Sequence, residues 1–214
     1  MPIVINKGRG NHPLWFRGLL LALLLILFAC LWLHLFPSLP HGGFLLSRHP
    51  DTIASDSSPL FETSFASHSK TNFVHSPAIV EISDGRLRAF WYGGTDEGAG
   101  DIALYTSIFD PHKGLWTLEK PLMTKEMTQE GTGRFVRTLG NCAVLGDEGT
   151  RLWLFYVSVS VGGWSGSAIN VTTSKDEGRT WSSPRRLVAS PFLNLSTLVK
   201  GPPFFFQDGA IGLP

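Results

Sequence analysis

Charge is scarce in this sequence, and so is cysteine. Only 16% of its 214 residues are charged, and 18 Lys and Arg nearly balance 17 Asp and Glu. A formal net charge of +1 leaves no basic surplus of the kind a nucleic-acid-binding domain displays. No nucleic-acid partner is expected. Of the two cysteines, Cys30 lies in an apolar run and Cys142 far along the chain, so no internal disulfide is expected between them. The seven His show no ligand-like pairing, and structural zinc needs four converging ligands. Neither a metal nor a cofactor is expected.

What is plentiful points to strands and turns. The chain has 23 Gly, 14 Pro and seven Trp, and 12% of its residues are aromatic. Aromatic and β-branched residues fit a pleated surface, while Gly and Pro mark the turns between short strands. A helical bundle is excluded on these grounds.

One long hydrophobic run stands apart. Residues 18–36, GLLLALLLILFACLWLHLF, would span about 28 Å as a helix, close to the hydrocarbon thickness of a bilayer. Lys7, Arg9 and Arg17 precede it, and positive charge holds that end in the cytoplasm. The expected organisation is a cytoplasmic N-terminus over 1–17, a transmembrane signal anchor over 18–36, a Ser/Pro/Gly/His-rich stalk over 37–58 and a domain over 59–214. That domain is expected to be periplasmic or extracellular. A cleaved signal peptide is the alternative, although its apolar core is normally only about 7–15 residues.

The remainder repeats itself at an offset of 65: Ala78 with Ala143, Leu87 with Leu152, Phe90 with Phe155 and Trp116 with Trp181. Each unit reads as a short apolar strand, a turn (Ser83-Asp84-Gly85 or Asp147-Glu148-Gly149), a second strand (86–92 or 151–161) and a Gly-Gly loop. A third strand (101–109 or 168–173), another turn and a Trp-led strand complete it. Four short strands per unit describe a propeller blade. A third unit opens at Pro203 with a turn at Asp208-Gly209. The expected fold class is all-β, an incomplete six-bladed β-propeller of about two and a half blades behind an N-terminal transmembrane helix. A quasi-repetitive sandwich is the competing reading.

Ser174-Lys175-Asp176-Glu177-Gly178-Arg179-Thr180-Trp181 fits the pattern S-x-D-x-G-x-T-W. Its chemistry is that of a self-bonding hairpin: Asp176 accepts backbone N–H groups, Gly178 permits positive φ, and Trp181 fills the gap between neighbouring sheets. Asp176 is expected to be structural. Because strands alternate in direction, the loop after the second strand lies at the opposite end, with the start of the first strand. That end gathers His75, the acidic loop 93–101, Asn141 and the loop 162–166 with Trp164. Asp96, Glu97 and Asp101 are the candidate acid/base residues, and a solvated acidic turn is the plain alternative. Arg134 and Arg137 are placed to grip an anionic sugar, or to be ordinary linker arginines.

The box and the blade HSPAIVEISDGRLRAFWYGGTDEGAGDIALYTS resemble the sialidase superfamily of BNR-repeat propellers, over residues 75–214. The resemblance implies exo-cleavage of terminal sialic acid by a six-bladed propeller, with a tyrosine nucleophile and a catalytic Asp after the second strand. His75 stands where that family begins its carboxylate-binding arginines, and the second arginine falls near Gly93-Gly94. The nucleophile and its Glu partner would lie beyond Pro214. Two functions are therefore expected as alternatives. One is a sialidase-like exo-glycosidase on exported or extracellular acidic glycans, inactive at this length. The other is a non-catalytic membrane-anchored propeller that binds a glycan or protein partner.

Overall fold

In a computed structural model, residues 13–35, 42–43, 61–68, 70–189, 194 and 196–214 are described. Most of the expected cytoplasmic segment and, apart from Gly42 and Gly43, the expected stalk fall outside them. The chain divides into two compact units, an N-terminal helical one and the β-rich remainder.

Helix α1 runs Leu14–Leu35, beginning four residues ahead of the apolar run, at Pro13, whose carbonyl accepts from Phe16 and Arg17. Proline suits this place because its missing N–H would have had no partner in a first turn. At about 33 Å the helix is long and apolar enough to cross a membrane, a property that an anchor and a signal sequence share. Large apolar side chains such as Leu19, Leu23 and Ile26 are exposed along it. Apolar residues on every face are what a lipid-embedded helix requires, whereas a surface helix needs a polar side.

The β-rich unit contains two blades and a hairpin. In the first blade β1 (Phe73–Glu81), β2 (Leu87–Gly94) and β3 (Ala103–Asp110) form an antiparallel meander. Its outer edge is shared by β4 (Leu115–Trp116) and β5 (Lys120–Met123), both paired with β3. Helix α2 (Lys125–Thr132) leads to the second blade, β6 (Thr138–Gly146), β7 (Leu152–Val159), β8 (Ser167–Ser174) and β9 (Arg185–Arg186). The hairpin is β10 (Phe204–Phe205) with β11 (Ile211–Gly212).

The sequence repeat is also a repeat of register. Phe90 lies between Ala78 and Thr106, and Phe155 lies between Ala143 and Val171. Leu87 opposes Glu81 and Phe109, as Leu152 opposes Gly146 and Ser174. Each pair of partners is displaced by the same 65 positions. First strands are neighbours, since the Cys142 thiol reaches the Ser76 carbonyl at 3.5 Å.

Strand β7, LWLFYVSV, is apolar on both faces because both are covered. Leu152, Leu154 and Tyr156 join a core with Phe90, Tyr92, Ile102 and Leu104 of the first blade. Phe155, Val157 and Val159 join another with Val199, Ile211 and Leu213 on the hairpin side. Burying each such side chain stabilises by about 1.5–3 kcal/mol, so blade-on-blade packing is the main cohesive force.

Two expectations need correcting. Gly93 and Gly94 lie within β2, opposite Val74 and Phe73, so the loop starts at Thr95. A Cβ on Gly93 would sit 2.8 Å from the Phe73 carbonyl, which is why that strand end needs glycine. The fourth strand of the second blade is not led by tryptophan but is Arg185–Arg186. There Ser182 Oγ accepts from the Thr173 N–H at 3.0 Å while the Thr172 hydroxyl donates to the Ser182 carbonyl at 2.6 Å. Thr117 makes the same pair of bonds, 3.0 Å and 2.6 Å, to Ile108 and Ser107. Side-chain hydroxyls thus take over part of the outer ladder in both blades. Helix α2 lies between the two blades, outside the four-strand pattern. Thr124 caps it by accepting from Met127 N–H, and Gly133 ends it at φ 63°.

Candidate functional site

The hairpin after β8 has a structural job. Asp176 accepts from the Thr180 N–H at 2.8 Å and from the hydroxyls of Thr180 and Ser174, at 2.6 and 2.7 Å. The Thr180 hydroxyl, then its backbone N–H, hold the Asp176 carboxyl down at about 2. Gly178 adopts φ 84°, and the Trp181 indole N–H returns to its carbonyl. Trp181 then packs edge-on against Phe90 of the first blade, ring centres 5.8 Å apart. Every polar group of Asp176 is committed to the turn, which leaves it no catalytic freedom.

The acidic loop lies at the other end of the strands. Both carboxylate oxygens of Asp101 accept from the Thr95 N–H, at 3.2 and 3.1 Å, and one also takes the Thr95 hydroxyl. That hydroxyl first, then the backbone bond, lowers the Asp101 carboxyl below its ordinary range, with the Lys125 charge adding to the effect. Asp96 accepts from the Glu97 N–H at 2.8 Å, and its carbonyl accepts from Ala99. Gly98 takes φ 74° at the tip. The Thr138 hydroxyl of β6 donates to the Ala99 carbonyl at 2.7 Å, fastening the loop to the next blade. Of the three carboxylates only Glu97 accepts no hydrogen bond from the described residues, and it is exposed.

Beside the loop, exposed His75 on β1 shares a 3.0 Å hydrogen bond with the Tyr92 hydroxyl, and Phe73 packs against both rings. Burial above all, and then the Glu97 charge, push the Tyr92 phenol up to about 12. It stays protonated at physiological pH. Tyr156 is buried with its hydroxyl on Thr128 at 3.0 Å, and Tyr105 stacks against Trp91.

The remaining candidates divide. Asn141 sits in the β6 bulge opposite Val157, half-buried, and the Trp164 ring lies against Gly140 beside it. A Cβ on Gly140 would come within 2.8 Å of that ring. Arg137 is exposed, its N–H donating to the Val159 carbonyl at 2.8 Å, and its own carbonyl lies near Gly100 of the acidic loop. Arg134 lies near Arg186 of the outer strand β9. Burial first, then the Arg134 charge, lower the Arg186 guanidinium. His75, Glu97, Asp101 and Arg137 thus lie around one loop, Asn141 and Trp164 lie together at the corresponding end of the second blade, and Arg134 lies toward the outer strand β9. Lys125 and Tyr92 belong to the same neighbourhood without having been singled out. The capping pair Thr124 and Gly133 was the available signal for Lys125. Among the described residues no cluster of His, Cys, Asp and Glu has metal-binding geometry.

No curated protein matches the sequence. Among solved structures, a Hadza microbial sialidase, Hz136, superposes with a TM-score of 0.52 at 22% identity, over 67% of this chain and 32% of its own. The NanB sialidase of Streptococcus pneumoniae gives 0.49 at 10% identity, over 72% and 42%. An exo-1,5-α-L-arabinanase from a bovine ruminal metagenomic library gives 0.44 at 19%, over 65% and 44%. The chain therefore spans about a third of the length of the first of these. At 22% identity the likeness to Hz136 carries the fold alone. A family model described as BNR repeat-like domain matches residues 85–214. That stretch is more than half of the sequence and holds the box hairpin and the second blade entire, and the chain belongs to this BNR repeat-like family.

Proposed function

We propose that this protein is a sialidase-like exo-glycosidase acting on exported or extracellular sialylated or related acidic glycans, held at a membrane by α1 with its blades on the outer side. The observation that carries this reading is the division of labour in the acidic loop. Asp96 and Asp101 spend their carboxylates on the turn, so Glu97 is left exposed, at the mouth of the inner strands, as the candidate acid/base. A carboxyl there is able to exchange a proton with a glycosidic oxygen, and Trp164 and Asn141 offer a stacking face and an amide to a sugar. Arg137 is the cation of this group suited to a sugar carboxylate. The Arg17 side of α1 supports the orientation.

One observation favours a binding-only reading. Tyr92 is buried and locked to His75, and Asp101 is held ionised, so neither suits a nucleophile or a general acid near neutral pH. The deciding experiment measures release of a fluorogenic α-sialoside and glycan-array binding by the same detergent-solubilised protein in a product that carries a complete ring of blades. Turnover that disappears in Glu97→Gln supports the hydrolase. Array binding without turnover in the wild type replaces it with a lectin-like role, and neither signal would remove both.

A further inference from the structure

Arg88, on β2, is a buried cation with an unfinished hydrogen-bonding shell. It is 6% exposed, its Nη1 reaches Thr106 Oγ1 at 3.4 Å, and its Nε has no partner among the described residues. Its nearest carboxylates are engaged elsewhere: Asp176 in its own hairpin, and Glu177 with Ser83 and Arg86. No carboxylate forms an ion pair with Arg88 among the described residues. Glu177 and Asp176 act on Arg88 through space without bonding it, and a buried guanidinium that bonds no carboxylate favours a directly bonded anion.

Arg88 lines a groove of about 440 Å³ between the outer edge of the first blade and the box hairpin of the second, together with Thr117, Leu118, Lys120, Gly178 and Arg179. Lys120 and Arg179 are exposed and likewise have no ion-pair partner among the described residues. Gly178 is what allows the hairpin to close over Arg88, since a Cβ there would lie 3.0 Å from the Arg88 Nε. Three cations therefore converge on one cleft. The hairpin that forms its far wall lies at the strand ends opposite the acidic loop, so the cleft is separate from the sugar site proposed above.

We propose that this inter-blade groove is a binding site for a compact tetrahedral oxyanion, sulfate or phosphate, free or as an ester on a sugar. The Arg88 guanidinium, where it lines the groove, and Arg179 supply N–H donors and Lys120 a point charge, a donor set matched to such an anion. A bound anion joins the two blades across their seam.

Isothermal titration of the full chain in non-ionic detergent, at fixed ionic strength against chloride, tests this with sodium sulfate, sodium phosphate and galactose 6-sulfate as probes. One-to-one saturable binding of at least one probe is expected. The double variant Lys120→Gln/Arg179→Gln, confined to the surface, should weaken it at least tenfold, and Arg88→Lys should do so as well. Binding of the ester alone identifies a sulfated glycan as the source, and binding of the inorganic ions alone a free anion. The proposal fails if no probe saturates by roughly 10 mM, ten times a millimolar Kd. It fails equally if the double variant binds every probe as the wild type does.

Discussion

Glu177, in the box hairpin of the second blade, accepts the Ser83 backbone N–H of the first blade at 3.0 Å. The same carboxylate takes the Ser83 hydroxyl and, at 3.2 Å, the Arg86 guanidinium. Its position is backbone-strained, φ 58°, and it is buried. The variable position of the box, rather than its name-giving aspartate, is thus what bolts one blade to the next. Glu177→Ala should destabilise the chain by about 1–3 kcal/mol, because it orphans a backbone donor and an arginine at the seam. Urea unfolding followed by tryptophan fluorescence reads the loss. A variant as stable as the wild type would show the clamp to be idle.

The same contact carries a pH dependence. The Ser83 hydroxyl first, and the Arg86 charge after it, hold the Glu177 carboxyl below its ordinary range in the folded chain. A depressed folded-state pKa means the stabilisation is whole above the unfolded value near 4.5 and fades as pH falls through the folded one. Asp176, held down at about 2, behaves alike. Glu177→Gln should therefore flatten the fall of melting temperature below about pH 4.5 and Asp176→Asn the fall between 3.8 and about 2, and combined they should flatten both.

Much of the blade architecture was legible because it is written in side chains that pack. The continuous apolar run of β7 and the shared 65-residue spacing of Phe90 and Phe155 follow from each blade burying both faces against its neighbours. The box was legible because its bonds are local. Other features left no such trace. Ser182 and Thr117 replace strand pairing with hydroxyl bonds, which no alternation pattern encodes, so where the outer strand of the second blade pairs was not legible. Gly93 and Gly94 read as a loop although close approach of Phe73 demands them inside a strand. At the candidate site, sequence placed the acidic residues at the right end but not their partners. Which carboxylate is free depends on Thr95 folding back on Asp101, a contact between residues six apart around an irregular turn.

That contact predicts a difference between neighbours. Thr95→Ala removes the hydroxyl bond that helps close the loop and Asp101→Ala removes the acceptor of all its bonds, whereas Glu97→Gln removes none. Amide hydrogen exchange over residues 95–102 should rise several-fold in the first two and stay unchanged in the third, a local opening with little change in global stability. Equal exchange in all three would mean the loop is held by Thr138 alone.

Gly178 tests the seam from the backbone side. It combines φ 84° with a Cβ position 3.0 Å from both the Arg88 Nε and the Trp181 ring. Alanine there meets conformational strain and displaces two side chains from the interface, costing about 2–4 kcal/mol. Gly114 has φ 64° in the corresponding turn of the first blade, but nothing lies within 4 Å of its Cβ position. Gly114→Ala should cost only the backbone share, about 1 kcal/mol. The difference between the two variants in urea unfolding isolates the crowding at the seam. Equal losses would mean that Arg88 and Trp181 move aside freely and that the blades are not tightly packed there.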